Sequence, residues 1–135
     1  MTIPQDSRTC IDLHCHSTAS DGALSPEALI ARAVEQGVSH LALTDHDTIA
    51  GLEVARGAAS GSGLSLINGV ELSCVWRSHT IHVVGLDFDE RDPAFLAALE
   101  RQNENRWQRA RMIADRLSRL NVDQLLERAT KVAGG

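Results

Sequence analysis

Tyrosine is absent from the 135-residue chain, and Trp76, Phe88, Phe95 and Trp107 are its only aromatic residues. So small a supply makes a poor stacking platform for bases. No run of eighteen or more apolar residues occurs, so no transmembrane helix and no membrane partner are expected. The opening MTIPQDSRTC lacks the basic-then-apolar pattern of a secretory signal. Cysteine is scarce and odd in number: Cys10, Cys15 and Cys74 show no paired spacing. A reducing, cytoplasmic setting is therefore expected. There is no C-x-x-C, no zinc-finger spacing, no GxGxxG and no Walker A pattern. GSG at 61–63 precedes a strand rather than a helix, so it is not a phosphate loop. No local signature supports a nucleophilic serine or cysteine. A surplus of positive charge is missing too: 18 acids face 13 bases, a net of −5. That argues against a general nucleic-acid-binding surface, but not against a nucleotide substrate, since bound cations would add local positive charge.

What is present suffices for one globular domain with a core. CIDLH reads as a first strand. SPEALIARAVEQG reads as a helix, with Ser25 as cap, Pro26 in the first turn and Gly37 at the stop. HLALTDHD is a buried strand with a polar end. DTIAGLEVARGAAS reads as a second helix capped by Asp47 or Thr48. LSLINGVELS is a third strand, and TIHVVGLD, rich in β-branched residues, a fourth. RDPAFLAALE begins a helix at Asp92 and Pro93. NENRWQRARMIADRLSRL is a longer amphipathic helix, and VDQLLERATKVA a final short one. The early β-α-β-α-β order calls for parallel strands joined by crossover helices. Arg101, Arg106, Arg109, Arg111, Arg116 and Arg119 crowd one C-terminal stretch. They read either as a solvated helix face or as a patch that meets phosphates.

Polar residues recur at the strand ends. His14 and His16 follow the first strand, His46 the second and Glu71 the third, while His82 lies inside the fourth. In a parallel α/β sheet or barrel the C-terminal strand ends meet at one face, so these groups would converge. Imidazole nitrogen and carboxylate oxygen suit zinc, manganese and iron. His-x-His on an extended strand would point its rings to opposite faces. Both can reach one ion only if the chain bends, and residues 17–22 look like that bend, with Asp21 adding a hard oxygen ligand. Glu71 could bridge two ions. Asp12, Asp45 and Asp47 are expected to orient the ligands rather than bind metal. Cys15 is expected to be a buried structural thiol pointing away from the histidines, and Cys10 and Cys74 are read the same way. His40 and His79 are read as ordinary hydrogen-bonded residues.

The ordered segments DLHCHSTASDG, ALTDHDT, GVELS and IHVVGL resemble the first motifs of the polymerase-and-histidinol-phosphatase (PHP) phosphoesterases. They are most similar to the branch of 3′,5′-nucleotide bisphosphate phosphatases and 5′-to-3′ exoribonucleases. The resemblance implies an α/β fold, the N-terminal part of a distorted (β/α)7 TIM-like barrel with parallel strands. Residues 1–135 would form the N-terminal portion of the PHP domain, with strands bearing the metal site over roughly 11–90 and a helical segment over 92–133. It also implies two or three divalent ions (Mn, Zn or Fe). His14 and His16 would hold the first, Glu71 would bridge the first and second, His82 would bind the second, and Asp21 and His46 the third. Asp21, His46 and Glu71 would be catalytic. The substrate would be a phosphorylated small molecule, a nucleotide or a short RNA, attacked at phosphorus by a metal-activated hydroxide.

The resemblance implies more chain than is present. A full β/α barrel takes roughly 250 residues, and no histidine follows His82. The later ligands of the family are thus missing, and the chain alone is expected to have little activity. Two alternatives stand beside the phosphoesterase. One is a non-catalytic metal-binding or interaction fragment, self-associating through exposed half-barrel edges. The other is a related metal-dependent hydrolase of C–N bonds, where His-x-His after a first barrel strand also occurs.

Overall fold

The computed structural model describes residues 9–119 and 124–132. The chain divides into two compact units, residues 1–90 and residues 91–135.

The first unit holds one four-stranded sheet in the order β1-β2-β3-β4. β1 spans Cys10–Cys15, β2 Val38–Leu43, β3 Ser65–Trp76 and β4 His79–Leu86. β1, β2 and β3 run parallel, joined by α1 (Pro26–Glu35) and α2 (Leu52–Ala59), as the alternating sequence pattern requires. α1 starts as expected. The Ser25 hydroxyl accepts from the Ala28 amide, Pro26 occupies the first turn, and Gly37 ends the helix in the left-handed region at φ 73°. α2 starts later than the sequence suggests. Thr48 accepts from the Ala50 amide in a local turn, and the helix begins after Gly51 with no side-chain cap. Ile30 and Ala33 of α1 and Leu52, Ala55 and Ala59 of α2 pack with Leu41, Leu43 and Leu64 to form the core. Both helices thus cover the sheet with the apolar side of a 3.6-residue period.

β4 departs from the parallel scheme. β3 changes partner along its length. Residues 65–68 pair parallel with β2, whereas residues 69–76 pair antiparallel with β4. A two-residue connection, with Arg77 left-handed at φ 57°, lets the chain fold straight back instead of crossing over a helix. At the change of partner stands Gly69. A Cβ there would lie 2.5 Å from the Leu43 carbonyl oxygen, so only glycine lets the two backbones approach.

In the second unit, α3 spans Pro93–Ser118 and α4 Leu125–Val132. Asp92 caps α3 by accepting from the Phe95 amide at 2.7 Å, with Pro93 in the first turn. The two helices expected across 92–119 are one. Asn103 and Asn105 are poor helix formers, yet their strong neighbours carry the helix through. The expected start of the last helix at Val122, and Gly134 and Gly135, lie outside the described residues. No helix among the described residues is long and apolar enough to cross a membrane.

Candidate metal centre

The first two site histidines depend on a break in β1. Asp12 pairs with Leu41 and Cys15 with Leu43, so three steps of β1 oppose two of β2. The extra residue is a bulge at Leu13–His14, held by the His14 amide donating to Asp12 Oδ1 at 3.2 Å. A regular strand would send the two rings to opposite faces. The bulge re-aims them, and both reach the same oxygen: His14 Nε2 lies 2.7 Å and His16 Nε2 3.1 Å from Glu71 Oε2. The bend expected at residues 17–22 therefore begins earlier, inside the strand.

Residues 17–22 form a tight loop fastened by Asp45. The Ser17 amide, the Ser17 hydroxyl and the Ser20 hydroxyl each donate to its carboxylate at 2.7 Å. Asp45 and Ser17 are both buried. The loop closes when the Gly22 amide donates to the Ser17 carbonyl at 2.9 Å. A Cβ on Gly22 would collide with the His16 carbonyl, so the turn requires glycine. The same loop presents Asp21, whose side chain is 67% exposed. Asp21 Oδ1 lies 3.5 Å from His16 Nδ1, and Oδ2 lies 3.6 Å from His46 Nε2.

His46 is placed by extending β2 past its end. The Glu71 amide donates to the Asp45 carbonyl and the Asp47 amide to the Glu71 carbonyl, forming a parallel bridge between His46 and Glu71. Asp47 then turns left-handed at φ 53°, a conformation aspartate tolerates, and its carboxylate accepts from the Ser73 amide at 2.8 Å. Asp12, Asp45 and Asp47 thus brace backbone and loop. Among the described residues none is in the groups poised for metal, and the carboxylates accept from the His14, Ser17 and Ser73 amides and from the Ser17 and Ser20 hydroxyls. His82 reaches the site from β4, where it pairs with Ser73, and its Nδ1 lies 3.1 Å from Glu71 Oε1.

Glu71 is the centre of the constellation. Instead of following β3, it lies within it, two residues past Gly69 at the change of partner. Its side chain is 8% exposed. One oxygen faces His14, His16 and, at 3.9 Å, His46; the other faces His82. Burial resists its ionisation. The His14 hydrogen bond and the nearby His46, His14 and His16 rings outweigh burial and hold the carboxyl below its ordinary range. The rings themselves pack at centroid distances of 5.1 Å (His14–His16), 4.7 Å (His16–His46) and 5.0 Å (His46–His82).

This donor set fits divalent cations. Three groups each bring their ligand atoms within 4.8 Å of one another: His14, His16 and Glu71; His16, Asp21 and His46; and His46, Glu71 and His82. Two buried ring nitrogens, His16 Nδ1 and His46 Nδ1, have no hydrogen-bond partner among the described residues. A neutral imidazole offers one lone pair and one N–H, so nitrogens without partners in a buried cluster are open to a cation. All six residues singled out in the sequence, His14, His16, Asp21, His46, Glu71 and His82, meet in this cluster. His40 lies outside it, with its ring beside the Ser39 hydroxyl, and His79 opens β4 away from it. Cys15 faces the other way, its thiol donating to the Ala42 carbonyl at 3.2 Å. Burial, then Asp12 and Asp45, push this thiol up to about 12. Cys10 differs from its expected buried state: it is exposed at the start of an edge strand. Asp45 is expected from the sequence to orient the ligands, but its link to Ser17 and Ser20 is not foreseen, and those serines with the acid before His46 are its only signal.

The PHP domain model matches residues 12–112. The chain is 52% identical over 126 residues to the 5′-3′ exoribonuclease Rnm of Escherichia coli, covering 92% of this chain and 43% of that protein. It is 46% identical over 112 residues to a 3′,5′-nucleoside bisphosphate phosphatase of Chromobacterium violaceum, covering 83% and 39%. Among solved structures, an amidohydrolase from C. violaceum with bound sulfate superposes with a TM-score of 0.83 at 42% identity, over 93% of this chain and 44% of that one. The chain spans less than half the length of each of these relatives. The α/β sheet, the ordered histidine–carboxylate cluster and these likenesses agree, and the chain belongs to the PHP domain family.

Proposed function

We propose that the chain carries the metal-binding half of a phosphoesterase that hydrolyses phosphate esters of nucleotides or short RNA. The observation that carries this reading is Glu71, a buried carboxylate with imidazoles on both oxygens. His14, His16 and Glu71 would hold one divalent ion, Glu71 and His82 a second, and Asp21 and His46 a third, with manganese, zinc or iron suiting these donors. When bound, such ions lower the pKa of water and stabilise charge on a phosphoryl group. The chain supplies the rest. Glu71 offers one oxygen to each of two positions. His46, aligned by its bridge to Glu71, faces both carboxylates. Asp21, exposed on its braced loop, would take a proton from water. Asp21, His46 and Glu71 are therefore assigned the catalytic roles. The relatives named as an exoribonuclease and a bisphosphate phosphatase support the substrate class. Three free thiols suit the cytoplasm, where we place the protein. Self-association through the sheet edges gains no support among the described residues.

The test is phosphate release by the whole polypeptide. H14A and E71A are each expected to abolish metal-dependent release from a 3′,5′-bisphosphorylated nucleotide and to lower the bound metal per chain. Retained release in both variants would overturn the reading. Hydrolysis of a C–N bond is the second reading, favoured by the name of the solved neighbour. Amides run beside the phosphate esters separate the two.

A further inference from the structure

Charge divides unevenly between the two units. Residues 1–90 contain four arginines and twelve acids, a net of −8; residues 91–135 contain nine bases and six acids, a net of +3. Such asymmetry within a chain points to a partner of one sign. The positive charge is also sorted around α3. At 100° per residue, Glu100, Glu104, Arg111 and Asp115 share one side, and Arg111 and Asp115 border the groove beside Leu125 and Leu126 of α4. Around from them runs a second stripe: Arg101, Arg109, Arg116 and Arg119, with Asn105 and Met112 between. All six are exposed, and the stripe is about 27 Å long at 1.5 Å per residue.

A helix face that is merely solvated interleaves its bases with acids three or four positions away. Arg109 and Arg116 have none. The residues at those spacings are Asn105, Arg106, Met112, Ile113, Arg119 and Leu120. Among the described residues, none of Arg101, Arg109, Arg116 and Arg119 has an ion-pair partner. Four guanidinium groups held in one line, none in an ion pair among the described residues and the middle two with no acid at helical spacing, are matched by a polymer with anionic groups in a line. Aromatic side chains do not interleave with them, so recognition would fall on backbone phosphates and be independent of sequence.

We propose that this face of α3 binds the phosphate backbone of single-stranded RNA and so retains an RNA substrate on the chain. The choice of RNA rests on the phosphoesterase reading above; the binding itself does not depend on catalysis. The probe is a fluorescent, 5′-phosphorylated oligoadenylate titrated with the whole polypeptide over a range of salt concentrations. Affinity is expected to fall log-linearly with salt. R109Q/R116Q/R119Q is expected to weaken binding at low salt about tenfold or more, and to reduce the salt slope by about 2, near 0.7 per lost phosphate contact. Unchanged helical circular dichroism verifies that the variant is folded. R32Q/R77Q, which removes arginines from the other unit, should leave affinity within about twofold. E71A should still bind the oligonucleotide although it no longer releases phosphate; phosphate release that survives in both E71A and H14A would overturn the function reading and leave this one standing. Three results would overturn it: no binding by the parent at low salt, equal binding by the triple variant, or binding to anionic phospholipid vesicles in place of RNA.

Discussion

The two units differ in what they bury. The sheet-bearing unit encloses polar as well as apolar side chains: Ser17, Thr44, Asp45, Asp47 and Glu71 are buried along with Leu41 and Leu52. In the helical unit Leu99 is the one buried residue among those described, while Trp107, Met112 and Ile113 are substantially exposed. In the first unit, folding and chemistry therefore draw on the same residues. A buried polar group is tolerated only when its hydrogen bonds are met, so the bracing around the candidate site is also part of the structure's stability. In the second, surface residues can be altered with little structural cost.

The sharpest way to break this contrast is Asp45→Ala. It leaves the buried Ser17 amide and hydroxyl without their acceptor and should destabilise the protein on the order of 3 kcal/mol, read from denaturant midpoints. A loss below about 1 kcal/mol would show that the hub is dispensable. Next comes a paired comparison. Leu41→Ala opens a cavity in the core and should cost about 2–4 kcal/mol, whereas Met112→Ala on α3 should stay within about 0.5 kcal/mol. Equal costs would erase the distinction between the units. The smallest effect is kinetic and stays within β1. Exposed Cys10 should react with a thiol reagent well before Cys15, whose thiol is half-buried and bonded to the Ala42 carbonyl, as mass spectrometry of partly labelled protein would show.

Much of this arrangement is legible in the sequence because it follows local rules. Ser25, Pro26 and Gly37 delimit α1, Asp92 and Pro93 start α3, and the alternation of apolar runs implies parallel β1, β2 and β3. The spacing of His14, His16, His46, Glu71 and His82 implies convergence once that order is granted. What stays hidden depends on pairing between distant residues. The bulge at Leu13–His14 exists only against β2, and no residue type announces it. The return of β4 is masked because Arg77 and Ser78 are not the glycine or asparagine that usually marks a tight hairpin. Asp45 looks like one of two acids beside His46, and its role becomes visible only when the loop at 17–22 folds onto it.

That fold of the loop onto Asp45 also sets a clock. The Ser17 amide is hidden from solvent and donates to a buried carboxylate. It can trade its hydrogen for deuterium only when the loop lifts away from the strand end. Its exchange rate therefore measures how often the segment bearing Asp21 detaches, separately from any opening of the core. A single backbone proton would report the readiness of the candidate site without substrate or turnover.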